Sequence, residues 1–376
     1  MKKIILLMMA ACAMLLATSC ENGDVEFDDF DYQTLCFSKQ TPVRTIVLGE
    51  SEYPNELDNQ HKFKLQVTLG GSRNLNKEHK VKIVVDNSLC DGLTFSDGHQ
   101  VTPMPAEYYQ LPTDILTIPA GKAYDGVEVQ LTDAFFADPK ALSLNYVLPV
   151  RIVEALDGDS ILVGQKKQNV ENPVWQNASN WDVAPKNYQL LALVYKNPYH
   201  GAWISHGTDN IDFDGATSEV KREAEYLERN EIRYLTSNGL LSSNYNVSTL
   251  VPITTINSEG KEEALSATLT STLKLDFDNE GNIVVSTANT DAMSVPKSST
   301  NATWTYTVSG TGKWEQHAAK KAWGDQDRDQ ITLDYVLTFT YSDKGVQHVK
   351  KYTCHDILVF RDHQEYFENF DVTYNK

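Results

Sequence analysis

Apolar and polar residues alternate strictly in short runs along this chain, and Gly, Pro and Asn clusters cut the runs apart. Phe63, Leu65, Val67 and Leu69 form one such series, Val81, Ile83 and Val85 another, and Val127, Val129 and Leu131 a third. In the stretch 142–152 the residues Leu142, Leu144, Tyr146, Leu148, Val150 and Ile152 fall on one face. A period of two over such lengths predicts antiparallel strands that bury one face. Pro149 lies inside the last run and lacks a ladder donor, which predicts an edge strand or a bulge there. Ile118-Pro119-Ala120-Gly121 reads as a turn. The pattern is overwhelmingly β.

The first half is therefore predicted to be an immunoglobulin-like β-sandwich over residues 27–196, with 162–186 as a long irregular insertion. Tyr188 to Tyr195 is its final strand, and Asn197-Pro198 marks the boundary. Strands are predicted at Glu231–Leu235, Tyr245–Thr254, Leu273–Phe277, Ile283–Ser286, Trp304–Val308, Ile331–Tyr341, Val346–Tyr352 and Ile357–Phe360. Asp278-Asn279-Glu280-Gly281-Asn282 supplies a hairpin turn. The stretch from Thr217 to Leu227 is the one helical candidate, because Val220, Ala224 and Leu227 share a helical face. Residues 197–376 are thus a second β domain, either a calycin-like up-and-down barrel or another sandwich.

The N-terminus carries Lys2 and Lys3, an apolar run from Ile4 to Leu16, and Ala17-Thr18-Ser19-Cys20. Residues 1–19 read as a secretory signal peptide, too short in its apolar part to span a bilayer. Cys20 after small residues resembles the lipobox of bacterial lipoproteins. That resemblance implies cleavage before Cys20 and lipidation of its thiol, with residues 20–26 as an acidic tether. The tether resembles the surface-export signal of Bacteroidota lipoproteins. Beyond Cys12 and Cys20, three cysteines remain: Cys36, Cys90 and Cys354. One disulfide is possible among them, and no Cys/His spacing suggests structural zinc.

Charge narrows the partners. The chain has 33 Lys+Arg against 51 Asp+Glu, a formal net charge of −18. Phosphate backbones and anionic membrane surfaces repel such a chain, so no nucleic-acid partner is expected, and membrane contact only through the lipid anchor.

Specific segments carry a family resemblance. They are Phe37-Ser38-Lys39-Gln40-Thr41-Pro42-Val43-Arg44-Thr45, Ile118-Pro119-Ala120-Gly121, Tyr146 to Ile152, 157–161, Asn197-Pro198-Tyr199-His200-Gly201 and Trp323 to Asp329. Together they resemble the two-domain Bacteroidota surface lipoproteins of unknown function encoded beside SusC/SusD-type outer-membrane glycan importers. The resemblance implies an Ig-like first domain, a β-rich second domain, an outer-membrane, outward-facing location and a glycan-capture role beside such an importer. It supplies no catalytic residues.

Sugar faces stack on aromatic rings, and the 18 Tyr, 13 Phe and 6 Trp provide many. Tyr199, Trp203, Trp314 and Trp323 are the candidate ligand-binding residues. Tyr199 and Trp203 are spaced to share a strand face, and Trp314 and Trp323 adjoin glycines that suit loop rims. Trp304 is a further ring on the same half, and Trp175 and Trp181 could join the site from the insertion. Each of these rings has a core packing role as its alternative. Asp325, Asp327 and Asp329 have a D-x-D-x-D spacing, but the EF-hand positions that follow are wrong, which leaves a polar turn stapled by Arg328. His200 and His206 read as structural. Asp159-Ser160-Ile161 resembles a short O-glycosylation sequon and equally a polar turn. No catalytic residue, metal ligand or cofactor site stands out, so the chain is read as a non-enzymatic glycan binder. A glycoside hydrolase and an adhesive or structural surface protein are the alternatives.

Overall fold

The computed structural model describes residues 33–71, 75–157, 159–298, 302–364 and 368–375. The signal peptide, Cys20 and the tether lie outside these residues. The chain is mainly β, a two-sheet sandwich followed by a closed barrel.

In the sandwich, one sheet runs in the order Ser160–Ile161, Thr34–Cys36, Lys62–Gly70, Tyr124–Leu131 and Tyr109–Gln110. The other runs Glu368–Asn369, Pro42–Val47, Tyr188–Lys196, Tyr146–Ala155, His79–Val85 and Ile115–Ile118. The alternating residues behave as their spacing requires: Phe63, Leu65 and Val67 meet Val81, Ile83, Leu148, Val150 and Ile152 in one core. Tyr188–Lys196 is buried on both faces. Leu191, Leu193 and Tyr195 enter that core, while Tyr188, Leu190 and Ala192 join a second one on the outer side.

Several expectations are corrected here. Not every pairing is antiparallel, since Tyr188–Lys196 runs parallel to Pro42–Val47, and Thr34–Leu35 runs parallel to Ser160–Ile161. Pro149 sits in a central strand, and the bulge falls later, between Ile152 and Glu154. Its missing donor costs no ladder bond, because on that side the neighbour changes from Thr102–Pro103 to His79–Val85. The Pro149 carbonyl accepts the Asp86 N–H at this junction, at 2.9 Å. The insertion 162–186 contains a small ladder, Gln165–Lys166 with Trp181–Val183. Cys36, Cys90 and Cys354 are separate buried thiols.

The barrel has eight consecutively paired antiparallel strands: Gly201–Phe213, Glu231–Gly239, Ser242–Ile256, Glu262–Phe277, Asn282–Thr287, Thr303–Ala319, Arg328–Asp343 and Val346–Asp362. The last strand closes on the first from Ala202↔Asp362 to Phe213↔Lys350. The calycin-like alternative therefore describes this half, and a second sandwich does not. Val346–Asp362 is one strand where two were expected. The helix expected over 217–227 is instead the strand Ala216–Arg222, turned back on Gly207–Phe213 by the two residues Asp214 and Gly215. Both have positive φ, 50° and 88°, the geometry of a tight hairpin turn.

The lumen is filled by side chains, among them Trp203, Trp304, Tyr335 and Phe339. Within it lies a charged knot. The fully buried Asp356 carboxylate accepts from Tyr245 and Tyr335 hydroxyls at 2.9 and 3.0 Å and pairs with Arg222 and Arg233. Arg222 also holds Asp209 in a bidentate pair at 2.7 and 2.9 Å. Four donors around one carboxylate satisfy the demand that a buried charge be paired.

The chain does not end in the barrel. Residues Glu368–Asn369 pair with Pro42–Val43, and Val372–Tyr374 pair with Leu93–Phe95. The tail assigned from sequence to the second domain thus completes the first, with Phe370 buried against Phe95.

Candidate functional site

Where sandwich meets barrel, the chain is tightly pinned. Asn197 is fully buried, and its side-chain amide donates to Gly239 and Ser242 carbonyls at 2.9 and 2.7 Å. Gly49 has φ +89°, and a Cβ there would lie 2.8 Å from that of Pro198, so only glycine permits this approach. Beside this junction opens a cleft of about 560 Å³. Glu50, Ser51 and Glu52 come from the sandwich side. Tyr199, Trp314, Gln316, His317, Asp327, Arg328, Asp329, Phe360 and His363 come from the barrel side.

The aromatic wall is rigid. Tyr199 lies flat on Phe277, centroids 3.6 Å apart and planes 6° from parallel. Trp314 meets Tyr199 edge-on at 5.6 Å and is half-buried. Gly281 packs against the Trp314 backbone, where a Cβ would come within 2.5 Å of its carbonyl oxygen. Immediately after Trp314 the ladder is interrupted between Glu315 and Ala319. His317, Lys321 and Asp325 all adopt left-handed φ in the segment that follows, a concentration of backbone strain typical of functional loops.

The polar floor is made of named contacts. The His317 N–H donates to Asp329 Oδ1 at 2.9 Å. Burial pushes the Asp329 carboxyl above its ordinary value, against that donation. Asp327 is held by Lys320 and by the Lys321 N–H at 3.0 and 3.1 Å. Arg328 Nε donates to the Trp323 carbonyl at 3.0 Å, the staple expected for this turn. His363 is 2% exposed, and neither ring nitrogen has a hydrogen-bond partner. Burial, with Lys196 adding, pushes it down to about 4, so the ring is neutral. The Trp314 Nε1 is also buried and is directed at the Asp329 carboxylate, whose pKa it acts to lower. A native fold rarely leaves nitrogens such as those of His363 unpaired, and a ligand is one way to satisfy them.

The sequence-derived candidates separate accordingly. Tyr199 and Trp314 line the cleft together. Trp203 does not join them. It has no exposed surface, and its indole donates to the Tyr199 carbonyl at 3.0 Å, so it supports the wall from within the core. Trp323 lies outside the cleft lining, half-buried under the Arg361 guanidinium at 5.0 Å. Trp304 is a core ring. Trp175 packs on Tyr188 at the outer face of the sandwich and on Trp181, and neither ring lines the cleft. Of the acidic triplet, Asp327 and Asp329 line the cleft and Asp325 does not. Among the described residues no cluster of three His, Cys, Asp or Glu could hold a metal. His200 bonds Ser237 at 3.1 Å, and burial pushes it down to about 4. Glu50, Gln316, His317 and His363 were missed. Nothing local in sequence marks them, because the loops that carry them meet only through the domain junction.

Comparison with known proteins fits this two-part layout. A family model described as a domain of unknown function (DUF5627) matches residues 198–364, and one described as an N-terminal domain matches residues 30–158. A solved structure of unknown function from Bacteroides ovatus is 34% identical, with a TM-score of 0.76, over 92% of this chain and 100% of that one. A multidomain protein including DUF1735, also from Bacteroides ovatus, is 12% identical over 87% of this chain and 94% of that one, with a TM-score of 0.36. No protein of curated function matches. The chain belongs to the family of the first Bacteroides ovatus protein, a sandwich-and-barrel family of unknown function whose barrel is the DUF5627 domain.

Proposed function

We propose that the chain binds glycan in the cleft between sandwich and barrel, as a lipid-anchored outer-membrane protein on the cell exterior that works beside a SusC/SusD-type importer. One observation carries the reading. A buried, neutral His363 with both nitrogens unpaired faces the same space as the Tyr199, Trp314 and Phe360 rings. Aromatic surface with unsatisfied neutral hydrogen-bonding groups suits a sugar, whose C–H faces stack and whose hydroxyls both donate and accept. The anchor rests on Cys20 and its lipobox resemblance.

Isothermal titration of the full chain in detergent against a polysaccharide panel tests the binding. A weak surface site would have Kd of ~1 mM to 1 μM. Trp314→Phe, which keeps packing but removes Nε1, should weaken binding severalfold without loss of fold. Absence of binding to every polymer sinks the proposal. Release of reducing sugar would replace it with the hydrolase alternative. Metabolic palmitate labelling that persists in Cys20→Ala would refute the anchor.

A further inference from the structure

We infer that the cleft selects uncharged glycans and rejects uronate-bearing or sulfated ones. The inference rests on the glycan-binding reading and adds a ligand class to it. Four carboxylates line the space, Glu50, Glu52, Asp327 and Asp329, against one obligate cation, Arg328. The geometry holds two of these acids in place. Glu50 accepts from Gln316 at 2.8 Å and from His317 at 2.7 Å, and Asp327 is fixed by Lys320 and the Lys321 N–H. Arg328 spends its Nε on the Trp323 carbonyl, which ties the guanidinium to its turn and leaves it a single cation among four carboxylates. Its partners and position make it part of the turn.

The buried partner on offer is neutral. His363 is 2% exposed and unpaired, and an uncharged imidazole can donate to one hydroxyl and accept from another. An anionic sugar placed here would lose hydration and meet one cation, Arg328, already tied to its turn, among four carboxylates. Like-charge juxtaposition across a binding surface costs several kcal/mol and is a common device for excluding wrong ligands. The chain's net charge of −18 adds long-range repulsion of polyanions before contact.

The test compares neutral polymers (starch, laminarin, mannan and galactan) with polygalacturonate and chondroitin sulfate, on the full chain in detergent at low salt. At least one neutral polymer should bind, and both anionic polymers should bind at least tenfold more weakly. Raising the salt should narrow the gap by screening the repulsion. The double variant Glu52→Gln/Asp327→Asn should narrow it further at low salt. A polyanion that binds as tightly as any neutral polymer, with binding lost in Trp314→Ala, overturns the class while leaving the cleft reading intact. If no polymer binds, or neutral binding is indifferent to Trp314, the cleft reading falls and the class with it. Thermal melts of each variant confirm that folded protein is being compared.

Discussion

Glu50 on the sandwich accepts a hydrogen bond from His317 Nε2 on the barrel at 2.7 Å, and its other oxygen accepts from Gln316 Nε2 at 2.8 Å. This clasp crosses the cleft between loops separated by more than 260 residues of chain. Both side chains are substantially exposed, so the pair should contribute under about 1 kcal/mol to folding. It joins Glu50 on one wall of the cleft to Gln316 and His317 on the other. Glu50→Ala should therefore shift Tm by no more than about 2 °C while changing ligand affinity about threefold or more. A Tm drop above 5 °C with unaltered affinity would mean that the clasp holds the domains together and does not shape the site.

The two tryptophans named from sequence should behave differently. Trp314 lines the cleft and also packs on the barrel core, so Trp314→Ala should weaken binding about tenfold and cost ~2–3 kcal/mol of stability. Trp323 sits outside the lining beneath Arg361. Trp323→Ala should leave affinity unchanged and cost about 1 kcal/mol of packing. Titration and melting of the two variants side by side check this. Equal loss of binding in both would place the ligand on a surface wider than the cleft.

How much of this was legible follows from which signals are local. Period-two alternation gave the sandwich core directly, since Phe63, Leu65 and Val67 are buried by the pleat itself. Strand ends and long strands were less legible, because Val346–Asp362 keeps pairing through Thr353–Asp356, where the alternation places polar groups in the lumen. The charged knot at Asp356 explains that break in pattern: Arg222 and Arg233, more than 120 residues away, make a lumenal aspartate tolerable. The misread helix had a competing signal in Asp214-Gly215, and turn chemistry outweighed a sparse helical period. In the site, aromatic rings flagged Tyr199 and Trp314, but also Trp203, which four-residue spacing could not separate from its neighbour. Tyr199 precedes the strand and only Trp203 lies within it.

The sandwich should depend on the distal end of the chain. Phe370 is 4% exposed and packs with Phe95 at 5.4 Å, in the same cluster as Leu89, Val101 and Leu190. Phe370→Ala should cost ~3–4 kcal/mol. Truncation after Gln364 should do more, removing the strands beside Pro42–Val43 and Leu93–Phe95. Limited proteolysis should then cut first within the sandwich and leave the barrel resistant. A truncated chain with an unchanged first melting transition would show the tail to be dispensable.

Acid should destabilise the protein through His363. Burial and Lys196 hold its folded pKa at about 4, whereas an unfolded histidine titrates near 6.5. Below pH 6.5 the unfolded chain takes up a proton that the native ring refuses until about pH 4. Stability therefore falls as pH drops from 6.5 to 4 and loses nothing further from this group below that. The shift is on the order of 3 kcal/mol for the ring. His200, pushed down to about 4 by burial and by Lys196, acts in the same direction. Asp329 opposes them: burial raises its pKa, so the native state binds its proton first and acidification relieves a cost. His363→Phe keeps an aromatic ring in the space and has no proton to bind. Its Tm should fall less steeply than wild type between pH 6.5 and 4, and the two curves should run parallel above pH 7. Identical slopes across the acid range would show that His363 titrates alike in the folded and the unfolded chain, and a steeper fall in the variant that a partner protonates it; either way the neutral, unpaired ring assigned to the cleft would be wrong.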